Sequence, residues 1–221
     1  MSHWRGLRTG LLLMLAAPAA ALATEDSTPT RVVSGTTITS DHDPAIRITL
    51  PANAVYVGAV RWPLLKVADA ELHAFVEADP SGLVRRFYWI QFEALLPDIK
   101  GKYDYSEDSV SGTLGAYPVL ITPDIDPGPN RSTPGRDGHA FRAMLADKGY
   151  RLPPWFMDVR FIHLPTADHR KELMIIYGEA MDETVAAIAT ARGKGAESFA
   201  WKDLTGAVIV RAKERIKLSP L

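Results

Sequence analysis

Hydrophobic and polar residues alternate along several stretches of the chain, with the two-residue period of half-buried β-strands. The alternation is most regular over 45–50, where isoleucine and leucine are separated by arginine and threonine. The run 56–62 is rich in valine and aromatic residues and ends before a proline. Together with shorter runs at 31–33 and 36–39, these stretches predict strands in the first third of the chain.

Two longer pairs of apolar runs predict β-hairpins. The segment 84–95 is the most strand-like of the chain, and it follows a run at 70–78 across the turn sequence Asp-Pro-Ser-Gly. Taken alone, 70–78 is compatible with a strand or a helix, but the turn favours the hairpin. The runs 155–164 and 171–178 are separated by a short proline-containing connection, and they predict a second hairpin.

Three other segments have the spacing of three to four residues that is typical of amphipathic helices. Residues 137–149 begin with an aspartate that could cap the helix, and they end with a glycine. An alanine-rich segment at 181–192 and the C-terminal segment 201–218 complete the set. For the last segment, a strand through 208–210 is the competing prediction.

Two regions between these elements are predicted to be loops. Residues 97–111 are polar, and we expect Tyr103 and Tyr105 to be exposed there. After a short predicted strand at 117–122, residues 123–137 contain four prolines and three aspartates. A loop of that length in a compact domain is typical of a binding loop or a lid.

Strands and helices do not alternate regularly, so we do not expect a doubly wound parallel sheet. The sequence predicts an α+β fold in which a mainly antiparallel sheet is flanked by two or three helices. We expect a single such domain over 44–221, preceded by a polar N-terminal segment at 24–43.

Residues 1–23 have the pattern of a secretory signal peptide. Arg5 and Arg8 provide a positive start, a short apolar run follows, and residues 21–23 have the small-x-small sequence that signal peptidase accepts. Cleavage is therefore expected before Thr24, and an uncleaved membrane anchor is the alternative. The expected product is a periplasmic or extracellular protein with no stable membrane insertion after cleavage.

Composition and motifs narrow the function classes. The 221 residues are 47% hydrophobic and 23% charged, which is ordinary for a globular protein. The absence of cysteine excludes a disulfide framework and a thiolate metal site. With 25 Lys and Arg against 26 Asp and Glu, and no basic stripe, no nucleic-acid partner is expected. The sequence lacks the motifs of serine hydrolases, zinc proteases, P-loop enzymes and dinucleotide-binding enzymes. It therefore indicates neither a reaction class nor a cofactor.

The candidate chemistry lies in polar side chains set among the aromatic residues of the two predicted hairpins. Buried polar groups need partners, and polar groups among aromatics on a sheet are typical of small-molecule pockets. The hypothesis is one ligand-binding site formed by His73, Trp89, Gln91, Glu93, Arg160, His163 and Tyr177. The structural alternatives are an internal Arg160–Glu93 ion pair and an ordinary solvent-exposed sheet face.

Two of the histidines allow a metal hypothesis. His163 and His169 could meet at the end of the second hairpin, with Asp168 as a third ligand or an orienting partner. Separate packing of His163 and solvation of His169 are favoured instead, so no metal site is predicted.

Three function classes remain open. The first is an exported protein that binds a small, partly apolar molecule between sheet and helices. The second is a hydrolase that uses Glu93, His73 or His163 as acid and base. The third is an interaction or structural module of the cell envelope, with 123–137 as its contact surface. The first is the leading hypothesis because it requires only a cavity.

Overall fold

The computed structural model describes residues 27–105, 107, 109–127, 134–186 and 199–221. The predicted signal peptide therefore lies outside the described residues. In chain order the elements are β1 (Val32–Ser34), β2 (Thr37–Ser40), β3 (Ile46–Thr49), β4 (Val55–Leu64), β5 (Ala68–Ala78), β6 (Val84–Leu95), β7 (Val110–Leu114), β8 (Tyr117–Pro127), α1 (Asp137–Asp147), β9 (Trp155–His163), β10 (Lys171–Ala180), α2 (Phe199–Arg215) and β11 (Lys217–Ser219).

Seven strands form the larger sheet, in the order β4-β5-β6-β10-β9-β8-β7, and all neighbours are antiparallel. Both predicted hairpins are confirmed. They lie side by side at the centre of the sheet, where β6 pairs with β10. The first hairpin turns at 79–82, where Gly82 has a φ of +80°, a conformation that favours glycine. A mainly antiparallel sheet flanked by helices confirms the predicted α+β class.

The smaller sheet has the order β1-β2-β3-β11. The strands predicted at 31–33, 36–39 and 45–50 are therefore confirmed as β1, β2 and β3. β11 was not predicted, because its three residues form a strand by pairing with β3, which lies near the other end of the sequence. The predicted boundary between residues 24–43 and 44–221 runs through this sheet.

The predicted loops are partly strands. β8 continues from the predicted 117–122 to Pro127, and β7 occupies the end of the polar region 97–111. β7 pairs with residues 117–121, so among the described residues the later half of β8 is an edge of the sheet. Prolines are tolerated at such an edge. The prolines in this part of β8 are the reason why the sequence predicted a loop there. Residues 128–133 of the predicted loop lie outside the described residues.

The predicted helices at 137–149 and 201–218 are observed as α1 and α2, and the alternative strand at 208–210 is wrong. Asp137 is the first helical residue, whereas Arg136 occupies the N-cap position without a capping hydrogen bond from its side chain. Of the predicted helix 181–192, residues 183–186 are helical, 181–182 precede the helix, and 187–192 lie outside the described residues.

Each face of the larger sheet has its own hydrophobic cluster. On one face, named the α2 face, Tyr88, Phe161 and Tyr177 pack in one cluster with Val208 and Ala212 of α2 and with the smaller sheet. On the other, named the α1 face, the sheet packs against α1. Because successive side chains of a strand point to opposite faces, the register decides which residues can share a site.

α1 is held on its face by few side chains. Phe141 and Leu145 are its buried residues, and they pack in one cluster with Leu72, Trp89 and Ile162 of the sheet. Burial of each such side chain stabilises the fold by about 1.5–3 kcal/mol. The polar groups nearby on this face form the candidate site.

Candidate functional site

α1 covers only part of its face, and a cleft of about 180 Å³ remains beside it. The apolar wall of the cleft consists of Phe87, Trp89, Phe141, Leu152, Phe156 and Ile176. The ring centroids of Trp89 and Phe141 are 4.7 Å apart, and Phe87 lies 5.2 Å from both Phe141 and Phe156. Mutual packing holds these rings in place, so the wall is formed before any ligand arrives.

Charged residues also line the cleft, and they come from the sheet as well as from α1: Asp126, Asp137, Arg142, Asp158 and Arg160. Asp158 is buried, whereas Arg160 is exposed. Burial lowers the pKa of Arg142, and the nearby Asp126 carboxylate opposes that change. An apolar wall together with carboxylates and guanidinium groups suits a ligand that has both apolar and polar parts.

Beside the cleft lies a pair of buried carboxyl groups. Glu93 of β6 is directly opposite Glu172 of β10, and the two residues are 7% and 1% exposed. The hydroxyl of Tyr103 donates to Glu93 Oε2 at 3.0 Å, and that of Tyr105 donates to Glu172 Oε2 at 2.6 Å. The structure therefore brings together two acids that are far apart in the sequence.

A chain of hydrogen bonds connects this pair to the cleft wall. Trp89 Nε1 donates to Gln91 Oε1 at 2.7 Å, and Gln91 Nε2 donates to Glu93. All three side chains lie on the α1 face, because they are two residues apart along β6. Two hydrogen bonds in series therefore link the Trp89 indole in the cleft to the Glu93 carboxyl group.

The environment of the pair favours its protonated form. Burial, followed by the charge of Glu93, raises the pKa of Glu172 to about 8. Burial also raises the pKa of Glu93. The Asp137 carboxylate acts in the same direction on both acids, and Arg160 opposes it. Two buried carboxyl groups that each raise the pKa of their neighbour titrate as a coupled pair.

The predicted exposure of Tyr103 and Tyr105 is wrong. Both are half-buried, and their rings stack with centroids 6.4 Å apart and planes only 6° from parallel. Burial, together with the charges of Glu93 and Glu172, raises the pKa of both phenols, so they remain donors. The sequence of this loop is polar and therefore predicted exposure. The carboxyl groups that accept hydrogen bonds from these two tyrosines lie on distant strands.

The seven residues predicted to form one site are divided between the two faces. Trp89, Gln91, Glu93 and Arg160 lie on the α1 face, and the first and last of these line the cleft. His73, His163 and Tyr177 lie on the α2 face. The register is the reason: Trp89 is opposite Ala74, whereas His73 is opposite Ile90. The alternative, an Arg160–Glu93 ion pair, is absent among the described residues, where Glu93 accepts hydrogen bonds from Gln91 and Tyr103 instead.

On the α2 face, His73 belongs to a buried anchor for the N-terminal segment. Its Nε2 lies 2.8 Å from Glu71 Oε1. The backbone N–H groups of Thr30 and Arg31 donate to the same carboxylate, as does the Arg31 guanidinium. Burial alone would raise the pKa of Glu71, but the bonds from His73, Thr30 and Arg31 hold it well below its usual range. His73 is therefore a structural residue.

Tyr177 and His163 also have structural roles on the α2 face. The Tyr177 hydroxyl donates to Glu179. His163 Nδ1 lies 2.9 Å from the Pro118 carbonyl oxygen, and its ring packs against Tyr117. Within the described part of the chain, no group of three His, Asp or Glu residues is placed to hold a metal ion. The alternative site at His163, Asp168 and His169 is therefore not formed there.

Sequence reasoning missed Glu172, Tyr103 and Tyr105 as parts of the site. In a strand, Glu172 shares a face with Met174 and Ile176, but four consecutive apolar residues follow it, so no alternation marks that face. Its position opposite Glu93 depends on the pairing of β10 with β6.

Within the described residues, no helix is long and apolar enough to cross a membrane. Comparison of the chain with family models, with curated proteins and with solved structures gives no match in any of the three.

Proposed function

We propose that this protein is exported and that it binds a small, partly apolar molecule in the cleft beside α1. The observation that supports the proposal is the cleft itself, which is lined by a packed aromatic cluster and by charged residues. A face that served stability alone would need few charged groups, since burial of each one has a cost unless it is compensated. The expected signal peptide at 1–23 is the basis for the exported location.

The experiment fills the cleft without disturbing the fold. Gly138 lies in the first turn of α1 and lines the cleft, and a Cβ at this position would meet no atom within 4 Å. A phenylalanine side chain at 138 would occupy space that a ligand needs. Gly206 of α2 is the matched control, because its Cβ would also meet nothing within 4 Å and it is exposed outside the cleft.

Binding is measured by saturation-transfer NMR with a mixture of small aliphatic and aromatic acids, amines and alcohols. Wild type and Gly206→Phe should bind the same compounds, and Gly138→Phe should bind none of them. Both substitutions remove a glycine from a helix, so neither should lower the melting temperature. Absence of binding to wild type, or equal binding to both variants, would contradict the proposal.

An acid–base enzyme is the second candidate, favoured by the Glu93–Glu172 pair. The predicted combination of Glu93 with His73 or His163 is not formed, because both histidines lie on the other side of the sheet. The two carboxyl groups would then have to act together, one as acid and one as base. Turnover of 4-nitrophenyl esters or glycosides that is lost in Glu93→Gln would favour this function over simple binding.

A further inference from the structure

Two charged groups of the cleft lack an ion-pair partner among the described residues. The guanidinium of Arg160 makes no hydrogen bond or ion pair there, although it is close enough to lower the pKa of Glu93 and Glu172. The carboxylate of Asp137 accepts a hydrogen bond from the N–H of Gly138 at 2.8 Å, and no cation of the described residues lies within ion-pair distance of it. One unpaired positive and one unpaired negative group therefore line the same cleft.

The other charges of the cleft differ in this respect. Asp126 and Arg142 influence each other, and Asp158 also has an interaction within the protein. These three groups need no ligand to compensate them. Asp137 and Arg160 are the groups that a ligand would find without a competing partner among the described residues.

The two unpaired groups belong to different layers of the fold. Arg160 is on β9 of the sheet, and Asp137 is at the start of the helix that covers the sheet. The aromatic wall that includes Trp89 and Phe156 borders the same space. A bound molecule would therefore meet a cation on one layer, an anion on the other, and the apolar lining of the same cleft.

The size of the cleft limits the ligand further. About 180 Å³ is the volume of roughly six water molecules, and it is below the roughly 300 Å³ at which pockets for drug-sized molecules begin. From size and charge together, and resting on the proposed function, we infer that the cleft binds a small zwitterion with an apolar side group, such as a free aliphatic amino acid. Its carboxylate would pair with Arg160 and its ammonium with Asp137.

The test compares three probes that share the isobutyl side group of leucine. L-leucine has both charges, 4-methylpentanoate lacks the ammonium, and isopentylamine lacks the carboxylate. Isothermal titration of the full mature chain should show leucine binding at least tenfold more tightly than either analogue, since one charge-assisted hydrogen bond is typically worth that factor. Valine and isoleucine are included so that the result does not depend on one side-chain shape.

Two conservative variants assign the two charges. Arg160→Gln should weaken leucine about tenfold and leave isopentylamine unchanged. Asp137→Asn should weaken leucine by a similar factor and leave 4-methylpentanoate unchanged. Each variant is the control for the other, and unchanged melting temperatures show that both remain folded.

The outcomes separate this inference from the proposed function. If an analogue binds as tightly as leucine and Gly138→Phe blocks it, the cleft binds ligands but the zwitterion inference is wrong. If neither substitution discriminates between the probes, the pairing of Arg160 and Asp137 with the two charges is also wrong. If no amino acid or analogue binds but other compounds of the mixture do, the inference is overturned and the proposed function stands. If nothing binds at all, both are overturned.

Discussion

Replacement of Glu172 by glutamine should make the folded protein more stable at mildly alkaline pH. The side chain is 1% exposed and lies opposite Glu93. At pH 8 the wild type must either keep a proton on this pair or bury a second negative charge. Glutamine keeps the size of the side chain and can still accept the Tyr105 hydroxyl bond, while its amide can donate to Glu93.

The size of the effect follows from the pKa of Glu172. It is about 8 in the folded protein and 4.5 for an unperturbed glutamate. Because the folded-state value is raised, the stabilisation is complete below pH 4.5 and is lost as the pH rises toward 8. At about 1.4 kcal/mol per pKa unit, the free energy of unfolding falls by about 3 kcal/mol between pH 5 and pH 8. The glutamine variant lacks this loss.

The assay is urea unfolding of wild type and Glu172→Gln at several pH values from 5 to 8. Glu214→Gln, at an exposed position on α2, is the control for removal of one negative charge. The free energy of unfolding of wild type and control should fall with pH, and that of Glu172→Gln should stay nearly level. The same slope for all three proteins would refute the idea that Glu172 holds a proton in the folded protein at neutral pH.

Three further predictions concern other parts of the chain. Gly178→Ala should destabilise the protein by about 3 kcal/mol or more, because its Cβ would lie 2.1 Å from the Phe87 ring; unfolding of Phe87→Leu/Gly178→Ala should recover part of the loss. Glu71→Gln should cost about 3 kcal/mol at pH 7 by leaving Arg31 without its buried partner. Since the pKa of Glu71 is lowered, that difference should shrink below pH 4.5. Identical unfolding curves of wild type and Glu71→Gln, both at pH 7 and below pH 4.5, would contradict the role of Glu71 as the anchor of the N-terminal segment. Mass spectrometry of the exported protein should find Thr24 at its N-terminus, and a retained Met1 would contradict the signal peptide.

Much of the local structure followed from the residue pattern. The two-residue alternation of 84–95, together with the turn at 79–82, was enough for the first hairpin, because both signals depend on neighbours in the chain. The spacing of Val208 and Ala212 similarly predicted a helix that buries one side. The site residues on β6 were predicted for the same reason, since Trp89, Gln91 and Glu93 must share a face of any strand.

What the residue pattern did not decide is which faces meet. Whether Trp89 shares its side of the sheet with His73 or with Ala74 depends on a shift of one residue between two strands, and the sequence allows either. The pairing of Glu93 with Glu172 depends on which hairpins become neighbours. Such contacts between distant segments are selected by the packing of the whole domain, in which the burial of both apolar faces outweighs the cost of the two adjacent acids. Only the tertiary structure therefore placed the carboxyl pair, its tyrosines and the cleft on one side of the sheet.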